Sequence, residues 1–180
     1  SSGKTTFTNA LVNEIPLHER IITIEDVQEV KLKQRDRLNL IYSKGGQGTS
    51  NVTAKEALEA CLRLNPDRIM LSELRGEEAF YYLRAINSGH PGSITTLHAD
   101  TVSGAFDQII MMIKQGGMNL SDESILAYIK KVCHVVVQFN KVGSRRIMTE
   151  LYFNPPGVDR RSNNAKTSVL HERRVATMQK

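Results

Sequence analysis

Glu73 and His98 stand where side chains can act on a charged ligand. Each lies just past a short apolar run, Ile69 to Leu71 for the first and Ile94 to Leu97 for the second. Short apolar runs bounded by Pro, Gly and Asn read as buried strands, and the residues between these two have helical spacing. In an open parallel sheet, ligands sit beyond the carboxyl ends of the strands. Glu73 and His98 are therefore expected to face one site. A carboxylate there can hold metal-bound water, and an imidazole can offset developing negative charge.

Gly3-Lys4-Thr5-Thr6 indicates what the site holds. It matches the end of a G-x-x-x-x-G-K-[ST] phosphate loop and leads into residues 7–15, where Phe7, Ala10, Leu11 and Glu14 recur at helical spacing. Backbone N–H groups at a helix start bind phosphate, Lys4 would reach the outer phosphates, and Thr5 would ligate Mg²⁺. The first Gly of the motif and the strand before it would lie upstream of Ser1. Arg20 to Asp26 reads as a second strand, ending on Glu25 and Asp26.

The intervening pieces fit a layered fold. Lys31, Lys33, Arg35 and Arg37 suit an exposed edge or loop, and residues 38–42 suit a strand. Residues 45–49 (Gly-Gly-Gln-Gly-Thr) form a loop without the strand–helix context of a dinucleotide fingerprint. Thr53-Ala54-Lys55-Glu56 is a capping box, with Ala54, Ala57, Leu58, Cys61 and Leu62 on one face of the helix behind it. Further helices are expected over 77–88, after Asp100 or Thr101 with Ala105, Ile109, Met112 and Ile113 inward, and over 121–131. A terminal hairpin is expected from 135–139 and 146–153. Strand–helix alternation up to about residue 114 predicts parallel βαβ units, hence an α/β fold with a mostly parallel sheet.

Charge and composition narrow the function classes. The chain has 180 residues and a net charge of +5. Residues 155–180 carry six Lys/Arg against Asp159 and Glu172, or +4; the remaining 18 basic and 17 acidic residues give +1. The body is thus not a basic nucleic-acid surface, and with 6% aromatics it offers no obvious stacking platform. Residues 155–180 read as a basic, flexible tail. Cys61 and Cys133 lack metal-ligand spacing and read as reduced core thiols. Asn140-Lys141-Val142-Gly143 lacks the terminal Asp of a guanine-reading N-K-x-D signature. His90, before Pro91, reads as structural.

Four motifs in register carry a resemblance: Gly3-Lys4-Thr5-Thr6, Ile22-Thr23-Ile24-Glu25-Asp26, Arg68 through Gly76, and Ser88 through Asp100. Together they resemble the Walker A loop, Asp box, Walker B segment and His box of the type II/IV secretion ATPase superfamily, most of all its hexameric VirB-type branch. Ser72 departs from this pattern, standing where many relatives have Gly. The resemblance covers about residues 1–154. It implies a P-loop, RecA-like three-layer sandwich whose first strand is missing from this stretch, followed by the hairpin. It implies ATP and Mg²⁺ as cofactors, with Ser2, Gly3, Lys4, Thr5 and Thr6 around the nucleotide and Thr5 and, through water, Glu73 at the metal.

By the same resemblance Glu25 and Glu73 act around Mg²⁺ and the attacking water, in an order the residues leave open. His98 contacts the γ-phosphate, and Arg75 positions Glu73 or neutralises charge. The implied setting is a homohexamer with inner-membrane components of a secretion machine, peripheral at the cytoplasmic face of the bacterial inner membrane and powering substrate translocation or pilus assembly. An N-terminal domain supplying further arginines is also implied. Two readings compete: an inactive fragment serving as an interaction module, and a RecA-like nucleic-acid motor. Residues 1–180 alone are expected to show no ATPase turnover.

Overall fold

The computed structural model describes residues 3–43 and 51–154. Ser2, the 45–49 loop and the 155–180 tail fall outside the described residues. Four parallel strands form the central sheet: β1 (Ile21–Glu25), β2 (Arg37–Ile41), β3 (Arg68–Leu71) and β4 (Ile94–Thr95), in spatial order β2-β1-β3-β4. Five helices accompany them: α1 (Lys4–Val12), α2 (Ala54–Arg63), α3 (Glu78–Asn87), α4 (Val102–Gln115) and α5 (Asp122–Val132). Strands β5 (Val135–Val142) and β6 (Arg145–Phe153) pair as a separate antiparallel hairpin.

Period-two alternation along the strands sorts the core into two layers. Ile22, Ile24, Ile69 and Leu71 point to one face, where α2, α3, α4 and α5 cover them with Leu58, Cys61, Leu83, Ile113 and Ile129 among others. Ile21 and Met70 point to the other face and meet Val12 and Ile15 at the end of α1, together with Val30. Because the strands are covered on both sides, they read as near-continuous apolar runs. The expected α/β three-layer arrangement with a mostly parallel sheet and a terminal hairpin is the one observed.

Local chemistry fixes the element ends. Thr53 and Glu56 form the expected capping box, and Thr101 rather than Asp100 caps α4 through its hydroxyl. Ser121 caps α5. Cys61 and Cys133 are free thiols, and burial pushes Cys61 up to about 12, so it packs as a small hydrophobe.

Three expectations need correction. The buried residues here are Val12, at the end of α1, and Ile15 just beyond it, while Ala10 and Leu11 are exposed. The sheet meets only the C-terminal end of this helix, while its N-terminal half leans on the hairpin through Phe7 and Phe139, 4.7 Å between ring centroids. Between β1 and β2 the chain runs as an irregular crossover without a helix. Buried Gln34 holds it by donating to Val12 O and Ile15 O. Strand β4 spans two residues rather than the four from Ile94 to Leu97, so His98 lies beyond it in a loop.

An ion pair fastens that region. Arg68, at the start of β3, donates to both oxygens of Glu19 and to Gly92 O. Gly92 has φ +72°, and a β-carbon there would collide with the Arg68 guanidinium, so glycine is required at this close approach. His90 bonds Pro66 O through Nδ1 at 2.7 Å and is structural, as expected.

The hydrogen bonds from Arg68 hold the Glu19 carboxyl below its ordinary 4.5. A depressed carboxyl pKa contributes stability above the unfolded-state value and loses it as pH falls through the folded-state value. Glu19→Gln should therefore lower stability by about 1 kcal/mol near pH 7. In denaturant titrations the gap from the parent should narrow as pH falls below 4.5; a gap independent of pH would contradict the assignment.

Candidate functional site

The carboxyl ends of β1, β3 and β4 open on the N-terminus of α1. Gly3 precedes this helix with φ 93°, and no side chain caps it. The first helical bond runs from Phe7 N to Gly3 O. The N–H groups of Lys4, Thr5 and Thr6 therefore have no partner within the helix and form a cradle for an anion. Gly3, Lys4, Thr5 and Thr6 line this cradle.

Glu73 lies just past β3 and is 8% exposed. Both its oxygens are engaged: Oε1 with His98 Nε2 at 2.8 Å, and Oε2 with the Arg75 guanidinium. His98 Nδ1 in turn lies 3.2 Å from Lys4 Nζ. One continuous chain of polar contacts, Lys4–His98–Glu73–Arg75, thus joins the start of α1 to the end of β3. An ammonium can only donate, so Nδ1 accepts and Nε2 donates. His98 is held as the Nε2–H tautomer.

Main-chain bonds position these groups. Ser72 N donates to Ile24 O, Leu74 N to Thr96 O, and the Thr96 hydroxyl to Ser72 O, tying the ends of β1, β3 and β4 together. The Glu78 carboxylate accepts from Arg75 N and Gly76 N, which fixes the turn into α3. On the far side of His98, Ala99 O accepts from Gln138 of the hairpin at 2.9 Å.

Glu25 behaves differently from its expected role. It is fully buried at the end of β1, and its Oε1 accepts from Glu29 N and Val30 N. Its second oxygen has no partner among the described residues. Glu25 thereby shapes the turn that follows, and that turn presents Glu29. The Thr5 hydroxyl donates to Glu29 Oε2 at 3.0 Å. Asn9 clamps the same turn to α1, donating to Glu29 O and accepting from Lys31 N. Glu29, not Glu25, is thus the carboxylate that touches the start of α1. Sequence reading passed over it; a strand ending on Glu with a second Glu four residues on was the available signal.

A hydroxyl beside a carboxylate suits a hard divalent cation. Among the described residues no group of three or more His, Cys, Asp or Glu side chains is placed to hold a metal. Mg²⁺ needs no such cage, because it keeps several waters and shares substrate phosphates. Thr5 and Glu29 are the oxygens that fit that use.

A family model described as Type II/IV secretion system protein matches residues 1–177. The chain belongs to this family. It is 48% identical over 156 residues to the type IV secretion system protein VirB11 of Bartonella quintana, covering 86% of this chain and 44% of the relative. To protein VirB11 of Agrobacterium fabrum it is 40% identical over 144 residues, 79% of this chain and 42% of the relative. Among solved structures, the VirB11 ATPase from the Brucella suis type IV secretion system, in complex with sulphate, superposes with a TM-score of 0.78 at 38% identity, covering 85% and 45%. The pilus retraction motor PilT with bound ADP shares the fold, with a TM-score of 0.65 at 24% identity over 88% and 46%. The chain spans under half the length of these relatives. Among the described residues no helix is long and apolar enough to cross a membrane.

The tautomer is directly measurable. In ¹⁵N imidazole spectra of the nucleotide-free protein, His98 should show a protonated Nε2 and a bare Nδ1. The reverse tautomer would contradict the Lys4 contact.

Proposed function

We propose that this chain is the nucleotide-hydrolysing part of a type IV secretion motor, using ATP and Mg²⁺ to drive substrate translocation or pilus assembly. The observation that carries this reading is the polar chain Lys4–His98–Glu73–Arg75 ending at the uncapped start of α1. That arrangement gathers the donors phosphoryl transfer needs: a lysine, backbone N–H groups and a histidine at one anion cradle. Membership in the secretion family and the sulphate-bound VirB11 ATPase of Brucella suis support it.

Each residue then has a distinct part. The N–H groups of Lys4, Thr5 and Thr6 and the Lys4 ammonium bind the phosphates, with Ser2 and Gly3 in the same loop. Thr5 and Glu29 would hold Mg²⁺, which would supply screening of phosphate charge. Glu73 already accepts hydrogen bonds on both oxygens, so it orients His98 and Arg75 rather than receiving a proton. Glu29 takes the proton of the attacking water. His98 is released from Lys4 as the phosphates arrive and turns to the γ-phosphate. Glu25 holds the turn that carries Glu29.

The same reading places the whole protein in a homohexamer at the cytoplasmic face of the bacterial inner membrane, among other components of the secretion machine. A nucleic-acid motor has less support, because the body outside residues 155–180 is nearly neutral.

Substitutions in the full-length protein separate these roles. Lys4→Ala should weaken ATP binding at least tenfold. Glu29→Gln, which keeps an oxygen for the metal but loses the base, should still bind ATP and lose at least a hundredfold in kcat, within the range for a general base. Glu25→Ala should lower the melting temperature by several degrees, because it strands the buried Val30 N–H and the partly buried Glu29 N–H. Normal turnover by Glu29→Gln would transfer the proton-accepting role elsewhere and refute this assignment.

A further inference from the structure

We propose that Arg146, on the second strand of the hairpin, is a phosphate-contacting residue of the nucleotide site. This rests on the phosphate reading above and adds a group from a distant part of the chain, outside all four sequence motifs.

The hairpin is built to bring Arg146 there. Across β5 and β6 the register jumps: Gln138 opposes Glu150, yet Phe139 opposes Met148, leaving Thr149 as an extra residue. Such a bulge re-aims the side chains beyond it. Before the bulge, Gln138 and Glu150 reach the body, Gln138 donating to Ala99 O at 2.9 Å and Glu150 accepting from Val102 N at 2.7 Å. Past it, Phe139 stacks on Phe7 of α1. Arg146 pairs with Lys141, two residues along from Phe139, so it shares the face that meets α1. Its stem lies over Gly3: a β-carbon at Gly3 would be 2.8 Å from Arg146 Cδ and 3.7 Å from Nε. The head group therefore hangs beside the uncapped N–H groups of the phosphate loop.

The local charges suit an anion. Arg146 and Lys141 stand directly across the ladder and place two cations at the hairpin tip. The positive end of the α1 dipole faces them, and the first turn of that helix carries no acidic residue. A polyphosphate at the start of α1 lies within reach of both the helix N–H groups and the Arg146 guanidinium, which can bind it in a fork. Nucleotide entry would then draw the hairpin onto α1, and the Gln138 contact next to His98 would carry that movement along the chain.

The test uses the full-length protein with Arg146→Met, which keeps the stem and loses the charge. Arg146→Lys restores a point charge, and Arg145→Met alters the opposite face of the strand. ADP and ATP affinities are measured by titration, and melting temperatures with and without ADP. Arg146→Met should weaken both nucleotides about tenfold and shrink the ADP-induced rise in melting temperature. Arg146→Lys should lose less and Arg145→Met nothing, with the nucleotide-free melting temperature unchanged throughout. Parent-like affinity in Arg146→Met, alongside failed binding by Lys4→Ala, overturns this inference and leaves the phosphate site standing. Parent-like affinity in Lys4→Ala overturns the phosphate site itself, and this inference with it. A nucleotide-free melting temperature lowered in both Arg146 variants makes the residue a folding element and also overturns the inference.

Discussion

A carboxylate with 8% exposure has to be paired, and Glu73 is paired on both oxygens. Burying an ionised carboxyl without partners costs several kcal/mol, so His98 and Arg75 are held where Glu73 needs them. Lys4 then follows, because the only free nitrogen of His98 accepts from it. One buried charge thus orders three further residues from three separate segments. The sheet serves this constraint by delivering Glu73 just past β3, one of its two inner strands.

Irregular backbone completes the site. The crossover from β1 to β2 has no helix, yet it is pinned by Gln34 to the end of α1 and by Asn9 along its length. That pinning sets Glu29 against Thr5. The hairpin adds a second irregularity, the extra residue at Thr149. Both features bring charged side chains to the start of α1, where the regular elements alone leave only backbone N–H groups and Lys4.

Much of this was legible in the sequence. Strands β1 and β3 are covered on both faces, so unbroken apolar runs betray them, and the capping box at Thr53 states where α2 begins. Glu73, His98, Arg75 and Lys4 could be picked out because each sits at an element boundary with chemistry to offer. Glu29 could not be ranked above Glu25 in that way. Their difference arises from main-chain hydrogen bonds donated to Glu25, which bury one carboxylate and turn the other outward. The apolar spacing of α1 misled, because this helix packs against a loop and a hairpin rather than along the sheet, and Leu11 stays 38% exposed. Arg146 left no signal at all, since its place depends on a register break that no local pattern encodes.

The central claim is that Lys4, His98, Glu73 and Arg75 form one chain poised to receive phosphate. The most direct measurement is a crystal structure of the full-length protein with Mg²⁺ and a non-hydrolysable ATP analogue. Lys4 Nζ should have left His98 Nδ1 for the outer phosphates, with Glu73 still between His98 and Arg75, and with Thr5 and Glu29 beside the metal. A nucleotide bound away from the start of α1, or Lys4 still on His98 with phosphates in place, would contradict it.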